Sequence, residues 1–200
     1  MTLALIDCGA GNLHSVANAL AAAGAVDVAI TNDARVVAQA ERIVLPGVGA
    51  FGACMSALRA IPDMVDTLER RVRDGDTPFL GICVGMQLLA EAGDEHGEHS
   101  GLGWFAGRVT RLAPADHKAR VPHMGWNDVT PRAHPLIAAG EAYFLHSYAY
   151  AGDGVVATTD HGGPVTAAIA RDNIVGVQFH PEKSQRYGIA LLERFLAWRR

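Results

Sequence analysis

The sequence predicts an α/β protein with a mostly parallel central sheet, flanked by helices and extended by antiparallel strands. Short apolar runs alternate with helical patterns through the first half of the 200 residues. Strands separated by helices are typical of βαβ units around a parallel sheet. The second half has short strand-like pieces joined by turns, which indicate antiparallel additions to that sheet.

The elements of the first half are apolar segments bounded by turn residues. The predicted strands are residues 3–6, 26–31, 42–45 and 79–82. A turn at 9–12 follows the first strand. The predicted helices are residues 16–23, about 50–60 and 64–73, and a further helix begins after Cys83.

The second half changes character. Residues 93–103 are polar and glycine-rich, which predicts an exposed loop. The strands predicted beyond it are residues 108–112, 121–129, 142–145, 155–159, 165–170 and 174–179. Residues 187–198 have the apolar spacing of a closing amphipathic helix. Since no repeat or linker interrupts the chain, we expect one domain over residues 1–200.

Composition excludes several classes of function. Half of the residues are apolar and 19% are charged, and a chain of this size buries roughly 70% of its unfolded surface. The net charge of −4 predicts neither a nucleic-acid nor an anionic-membrane partner. Residues 1–7 indicate a buried strand rather than a signal peptide, and no apolar run is long enough to span a membrane. Three cysteines without paired spacing favour a reducing cytoplasm.

A cysteine between two glycines follows the strand at 79–82. The segment is Gly81-Ile82-Cys83-Val84-Gly85-Met86-Gln87. Glycine tolerates unusual backbone angles and lets a helix approach a strand closely, so Cys83 is predicted on a tight elbow. Unpaired N–H groups at a helix N-terminus stabilise a thiolate. An arbitrary cysteine is more often a small buried hydrophobe, an interpretation that we keep for Cys8 and Cys54.

A histidine and a glutamate follow the last predicted strand. His180 and Glu182 are two residues apart, so their side chains can share one face of an extended chain. Pro181 cannot donate to a strand ladder, which places His180 at a strand end, where parallel sheets often carry active sites. The alternatives are a structural histidine and a surface acid. A thiol, a base and an orienting carboxylate are the groups of nucleophilic acyl transfer, here with the acid after the histidine, unlike α/β-hydrolases.

Acyl transfer also needs N–H donors for the developing oxyanion. The Val84 N–H directly follows the nucleophile. The second candidate is the glycine-rich loop after the strand at 42–45, with Val48 and Gly49. A plain connection between a strand and a helix is the alternative interpretation of this loop.

Together these segments resemble class I (triad) glutamine amidotransferases, and within them the glutaminase subunits of imidazole glycerol phosphate synthases. Cys83 and its glycines, with His180-Pro181-Glu182, carry the resemblance to the superfamily. The strings that narrow it are Gly11-Asn12-Leu13-His14-Ser15-Val16, Pro46-Gly47-Val48-Gly49-Ala50-Phe51, Pro122-His123-Met124-Gly125-Trp126-Asn127, Phe144-Leu145-His146-Ser147-Tyr148 and Gln178-Phe179-His180-Pro181-Glu182-Lys183-Ser184-Gln185.

The resemblance implies a single amidotransferase domain and a reaction on L-glutamine. Cys83 would attack the side-chain amide, with His180 as base and then proton donor and Glu182 orienting the histidine. A γ-glutamyl thioester would form and be hydrolysed to glutamate. The residues that the resemblance assigns to glutamine binding are Gln87, Glu95, His146, Ser147 and Tyr148. No metal or organic cofactor is implied, and we interpret His96 and His99 as solvated.

The resemblance also implies a partner. Ammonia would pass to a cyclase/synthase subunit, a (β/α)8 barrel that makes imidazole glycerol phosphate and aminoimidazole carboxamide ribonucleotide in L-histidine biosynthesis. Because the sequence ends at Arg200, we expect this synthase to be a separate chain in a heterodimer. Met124, Trp126 and Lys183 would face it, since apolar and basic anchors suit an interface.

One segment departs from many class I relatives, which have two consecutive glycines after the proline of the oxyanion loop. Here Val48 separates Gly47 from Gly49, and a β-branched residue restricts the backbone. We hypothesise that the resting loop presents a carbonyl to the oxyanion position and that the loaded partner favours the active orientation. The alternatives for the whole chain are the glutaminase subunit of pyridoxal phosphate synthase, a thiol peptidase or γ-glutamyl hydrolase, and a non-catalytic amidotransferase-like scaffold.

Overall fold

A computed structural model describes residues 2–9, 11–116 and 118–199, and its secondary structure is dominated by β-strands. The strands are β1 Thr2–Ile6, β2 Asp27–Thr31, β3 Arg42–Gly47, β4 Phe79–Cys83, β5 Ala90–Gly93, β6 His99–Ser100, β7 Phe105–Arg111, β8 His123–Pro131, β9 Gly140–His146, β10 Tyr148–Gly152, β11 Val155–Asp160, β12 Pro164–Arg171 and β13 Ile174–Val177. Each strand predicted in the first half is confirmed, with small differences at its ends.

Along the sequence, most helices alternate with the strands of the first half, and one helix closes the chain. They are α1 Leu13–Ala22, α2 Ala34–Gln39, α3 Phe51–Ala60, α4 Met64–Leu68, α5 Val84–Gln87 and α6 Gln185–Ala197. A π-helical turn, Glu69–Arg73, extends α4, and a 3-10 turn, Pro181–Lys183, precedes α6. Within the described ranges, no helix is long and apolar enough to cross a membrane.

The predicted α/β architecture is confirmed by a nine-stranded mixed sheet in the order β2-β1-β3-β4-β13-β12-β11-β8-β9. The five strands from β2 to β13 run parallel, and each later pair is antiparallel. Four of these parallel strands, β1, β3, β4 and β13, are almost fully buried, as expected where helices cover both faces of a sheet, whereas β2 at the edge is partly exposed.

Several predicted elements differ from the structure. The strand predicted at 108–112 belongs to a second sheet, β10-β7-β5-β6, rather than to the central one. The predicted loop at 93–103 contains β6, which pairs with β5, because the chain folds back onto this second sheet. The helix after Cys83 is only one turn long, since Leu88 and Leu89 form a turn that leads directly into β5.

The helix α2 was not expected from the sequence, and the turn predicted at 9–12 can be compared with the structure only in part. Helix α2 was not predicted, although Asp33 accepts a hydrogen bond from the Arg35 N–H at 2.8 Å and is a good N-cap residue. The predicted turn at 9–12 includes Ala10, which lies outside the described residues. Asn12 caps α1 by accepting from the Ser15 N–H at 3.3 Å, and the helix begins earlier than predicted.

The strand register places the carboxyl ends of three neighbouring parallel strands side by side. Gly47 of β3 pairs with Cys83 of β4, and Ile82 of β4 pairs with Val177 of β13. The loop after β3, the elbow after β4 and the segment after β13 therefore meet at one edge of the sheet. Active sites of open parallel sheets lie outside this edge.

Candidate active site

Cys83 lies at a strained elbow between β4 and α5. Its φ of +55° is in the left-handed region, which non-glycine residues rarely occupy without support. The support comes from close packing: a Cβ on Gly81 would lie 2.8 Å from the Gly85 carbonyl oxygen, and one on Gly85 would overlap the Leu45 carbonyl oxygen. The two flanking glycines let the elbow sit directly against β3, which confirms the geometric reason for their presence.

His180 and Glu182 form a buried pair beside this elbow. The His180 Nδ1 lies 2.8 Å from the Glu182 Oε1, and both side chains are almost completely buried. Because the Nδ1–H donates to the carboxylate, the Nε2 is left for the Cys83 sulfur. The 3-10 turn at Pro181–Lys183 brings the two side chains together, and the Ser184 hydroxyl ties this turn down by donating to the His180 carbonyl at 2.7 Å.

The electrostatics of this pair favour the imidazolium. Burial opposes a charge on His180, but its hydrogen bonds with Cys83 and Glu182, together with their negative charges, outweigh burial and raise the pKa of His180 to about 9. A histidine with this pKa holds a proton at neutral pH. It can therefore deliver that proton to a leaving group.

A further residue, which sequence reasoning missed, contacts the sulfur. The Gln178 Nε2 lies 3.7 Å from the Cys83 Sγ, and the Leu145 carbonyl oxygen lies 3.9 Å from the sulfur. Gln178 has no exposed surface. A glutamine among the apolar residues of a buried strand, two positions before His180, is the signal that could have identified it, because a buried amide needs polar partners.

A cavity of about 510 Å³ opens beside Cys83 and His180. It is lined by the predicted oxyanion and glutamine-binding residues, namely Val48, Gly49, Val84, Gln87, Glu95, His146, Ser147 and Tyr148, together with Ala50, His96, Pro122, Leu145 and Lys183. Glu182 lies behind His180 and does not reach the cavity lining. The exposed side chain of His96, interpreted as solvated, lies at this cavity. Across the described residues, no group of three or more His, Cys, Asp and Glu side chains could hold a metal ion.

The chain is similar to known proteins over almost its whole length. The family model described as glutamine amidotransferase class-I matches residues 4–198. The chain belongs to this family.

Individual relatives of this amidotransferase carry a more specific name. A Zymomonas mobilis protein named imidazole glycerol phosphate synthase subunit HisH is 61% identical, over 98% of this chain and 96% of its own length. A protein of the same name from Rhodopseudomonas palustris is 46% identical over 100% of both chains. Another from Ruegeria pomeroyi is 48% identical over 99% of both chains.

Solved structures share the fold of the amidotransferase at low identity. One, described as the crystal structure of glutamine amidotransferase, has a TM-score of 0.76 and 18% identity, with 98% of each chain covered. The structure of PurLQS from Thermotoga maritima has a TM-score of 0.74 and 16% identity, covering 98% of this chain and 97% of that one. At these identities the likeness shows the fold alone.

The loop of the amidotransferase that is predicted to bind the oxyanion, with Val48 and Gly49, lies directly beside the elbow. A Cβ on Gly47 would lie 2.7 Å from the Gly85 backbone nitrogen, so the loop and α5 are in close contact. The Val48 carbonyl is 3.2 Å from the Cys54 Sγ and accepts a hydrogen bond from this thiol. Burial raises the pKa of Cys54 to about 11, which keeps the thiol protonated as a donor. The resting orientation proposed above for the loop stays a prediction.

Two of the predicted glutamine-binding residues, Glu95 and Gln87, already use part of their hydrogen-bonding capacity within the protein. The Glu95 Oε2 accepts the Phe51 N–H at 2.9 Å and so caps the N-terminus of α3. The Gln87 Nε2 donates to the Tyr148 carbonyl and to the Gln178 Oε1, both at 2.9 Å. Only the Gln87 Oε1 and the remaining oxygen of Glu95 are left to face a ligand in the cavity.

The predicted partner face is exposed. Met124 is 62% exposed and Trp126 is 47% exposed on one face of β8, whereas His123 on the opposite face is buried. Lys183 lines the cavity and lies 5.7 Å from the centre of the Tyr143 ring. Trp126 also contacts Tyr143, with ring centroids 6.1 Å apart, so Trp126 and Lys183 share this neighbour.

Proposed function

We propose that this chain is the glutaminase subunit of imidazole glycerol phosphate synthase, acting in L-histidine biosynthesis in the cytoplasm. It hydrolyses L-glutamine through Cys83 and passes ammonia to a cyclase/synthase subunit, a (β/α)8 barrel, in a heterodimer. The observation that carries the proposal is the arrangement of Cys83, His180 and Glu182 at the cavity. The names of the full-length relatives support this pathway over that of pyridoxal phosphate synthesis.

The first half-reaction uses the thiol and the imidazole together. The proton of the Cys83 thiol already lies on His180, as the raised pKa of the imidazole indicates, and the sulfur attacks the side-chain carbonyl carbon of glutamine. The carbonyl oxygen becomes an oxyanion, for which the Val84 N–H and the Val48–Gly49 loop supply donors. When the tetrahedral intermediate collapses, the carbon–nitrogen bond breaks, the imidazolium gives its proton to the departing nitrogen, and ammonia leaves a γ-glutamyl thioester on Cys83.

The second half-reaction reverses the role of His180. Having given up its proton, the imidazole is neutral and can take a proton from water, which attacks the thioester carbon. The carbon–sulfur bond breaks, glutamate leaves, and the sulfur is again a thiolate beside the protonated His180. Glu182 holds the imidazole by the 2.8 Å contact throughout.

The remaining site residues have supporting roles in this proposal. Gln87, Glu95 and the His146-Ser147-Tyr148 segment bind glutamine, and Glu95 recognises its α-amino group through the oxygen that does not cap α3. Met124, Trp126 and Lys183 contact the synthase. One amidotransferase domain spans residues 1–200, and the loop at Val48 takes its active orientation when the ligand-loaded synthase is bound.

The test is an ammonia-release assay with the chain alone and with the ligand-loaded synthase. We expect the loaded synthase to stimulate hydrolysis and Cys83→Ala to reduce it to the non-enzymatic level. Equal rates with and without the synthase would remove the loop hypothesis. Hydrolysis that persists in Cys83→Ala would contradict the role of Cys83 as the nucleophile.

Pull-down and peptide assays separate the alternatives. Stimulation by a pyridoxal phosphate synthase instead would favour the alternative pathway. Synthase binding without any ammonia release would favour a non-catalytic scaffold. Robust hydrolysis of a peptide library without a partner would favour a thiol peptidase.

A further inference from the structure

We propose that Gln178 is a further catalytic residue, which donates an N–H to the Cys83 sulfur, and that a buried hydrogen-bond chain beginning at Asn127 fixes its amide in this orientation. The proposal rests on the function proposed above and identifies groups that act on the nucleophile. We call the series Asn127, His123, His146, Tyr148, Gln87, Gln178 and Cys83 the Asn127–Cys83 chain.

The first three side chains of this chain have only one consistent arrangement of hydrogens. The Asn127 Nδ2 lies 2.7 Å from the Asp160 carbonyl oxygen, which can only accept, so this atom is the amide nitrogen. Its second N–H points to the His123 Nε2 at 3.1 Å. The His123 Nε2 therefore accepts, and a neutral His123 must carry its hydrogen on Nδ1.

The next contact follows from this assignment. The His123 Nδ1–H donates to the His146 Nε2 at 3.1 Å, so His146 carries its hydrogen on Nδ1. That Nδ1 lies 2.9 Å from the Tyr148 carbonyl oxygen, which again can only accept. Both ends of the histidine pair thus require the same tautomers independently.

Burial keeps both histidines neutral, as this arrangement requires. The His123 ring is stacked between Phe144, with centroids 4.7 Å apart, and His161, at 4.1 Å. Burial, together with the neighbouring histidines, lowers the pKa of His123 to about 3. Burial likewise lowers the pKa of His146 to about 4, although its hydrogen bond to Tyr148 acts in the opposite direction.

The Asn127–Cys83 chain continues from the Tyr148 carbonyl to the Cys83 sulfur. This carbonyl also accepts from the Gln87 Nε2 at 2.9 Å, which identifies the nitrogen of that amide. The second Gln87 N–H donates to the Gln178 Oε1 at 2.9 Å. With its oxygen held there, Gln178 must turn its Nε2 to the Cys83 Sγ, at 3.7 Å.

The orientation of this last amide has a chemical consequence. An N–H facing the sulfur stabilises the negative charge that the sulfur carries before attack, whereas the reversed amide would place a carbonyl oxygen against it. Hydrogen bonds to a charged group contribute more than those between neutral groups. Gln178 and His180 thus contact the same sulfur, and only His180 exchanges a proton with it.

The test measures a property of the sulfur that does not require glutamine. The rate of Cys83 alkylation by iodoacetamide in the full chain is followed by site-resolved mass spectrometry. Gln178→Met keeps the length of the side chain but removes the donor, and we expect alkylation about tenfold slower than in the unchanged chain. Alkylation at the unchanged rate would overturn the role of Gln178.

Variants at other positions of the Asn127–Cys83 chain test whether it orients the Gln178 amide. Gln87→Met frees the Gln178 amide to reverse, so we expect slower alkylation by a few-fold. His146→Leu should slow it less, and His146→Gln, which can both donate and accept, should restore part of the rate. The matched control is Asp128→Asn, an exposed change on the opposite face of β8 from Asn127. Unchanged alkylation in both Gln87→Met and His146→Leu would overturn the positioning role of the Asn127–Cys83 chain. This outcome decides the question even if Gln178→Met does not fold.

Steady-state kinetics with the loaded synthase provide a second readout. Because Gln178 contacts the sulfur and does not line the cavity, Gln178→Met should lower kcat for glutamine hydrolysis and leave KM nearly unchanged. A raised KM with unchanged kcat would contradict the assignment. Absence of hydrolysis in the unchanged complex would count against the proposed function alone, because the alkylation result does not depend on it.

Discussion

Replacing Glu182 by glutamine should lower the pKa of His180 while leaving the Cys83 thiol in place. The substitution keeps the shape of the side chain but removes the charge next to the His180 Nδ1 at 2.8 Å. Burial is the largest single influence on His180 and disfavours the imidazolium, and without Glu182 only the interaction with Cys83 opposes it. The pKa of His180 should therefore fall from about 9 toward or below its ordinary value.

The size of the change follows from the titration of a single group. At pH 7.5, a histidine with a pKa of about 9 is about 97% imidazolium, whereas one with a pKa of about 6.5 is only about 9% imidazolium. The proton donor for the leaving ammonia would thus be depleted roughly tenfold at this pH. We expect glutamine hydrolysis by the complex to fall by at least this factor.

The assay is an NMR titration of the His180 ring in the unchanged chain and in Glu182→Gln. We expect a midpoint near pH 9 in the unchanged chain, since that is the pKa that Cys83 and Glu182 together maintain. Glu193→Gln makes the same chemical change at an exposed position of α6 and should leave the midpoint where it is. An unchanged His180 midpoint in Glu182→Gln would refute the electrostatic reasoning.

The same shift has a consequence for stability. Because the pKa of His180 is raised on folding, its contribution is fully present below about pH 6.5 and is lost as the pH rises through about 9. The shift corresponds to roughly 3 kcal/mol of unfolding free energy. Urea unfolding at pH 6 and above pH 9 should show a smaller difference in Glu182→Gln than in the unchanged chain.

Two substitutions and one alkylation of the unchanged chain have further expected outcomes. Gly85→Ala brings a Cβ into the Leu45 carbonyl oxygen, so it should lower stability by about 1–3 kcal/mol and displace the elbow, which thermal unfolding and ammonia release would show. Asn173→Ala removes donors at 2.8 Å from two buried carbonyls and should cost about 2 kcal/mol or more in urea unfolding. Asn32→Ala makes the same chemical change at an exposed position and is the control. Cys54, with a pKa of about 11, should stay unmodified at pH 8 under conditions that alkylate Cys83, and equal modification of both would contradict this.

The local signals of the chain predicted most of the first half of the fold and the three side chains, Cys83, His180 and Glu182, that the structure brings together. β3 and β4 are apolar runs, and the glycines around Cys83 have the close contacts that the elbow requires. Such features depend on neighbouring residues, so a sequence displays them directly. Helix α2 has a similar local signal in Asp33, but it is only six residues long, and a helix this short depends on tertiary packing for its stability.

The second sheet could not be predicted in the same way. Strands β5 and β6 have only four and two residues, and β7 pairs with β10, which lies far beyond it along the chain. The helix predicted after the elbow ends after one turn because β5 pairs with β7 instead of extending the helix. Periodicity alone does not distinguish these outcomes for a short apolar segment.

The sequence by itself determined the alternation of strands and helices in the first half, the elbow at Cys83 and the position of His180 and Glu182 after the last strand, because backbone preferences and residue chemistry are local properties. The tertiary structure alone decided which groups surround the sulfur. The pairing of Gly47 with Cys83 and of Ile82 with Val177 brings three strand ends together, and only that arrangement places Gln178 against the thiol. These contacts join residues many positions apart, and the direction of each hydrogen bond depends on the partner that the fold supplies.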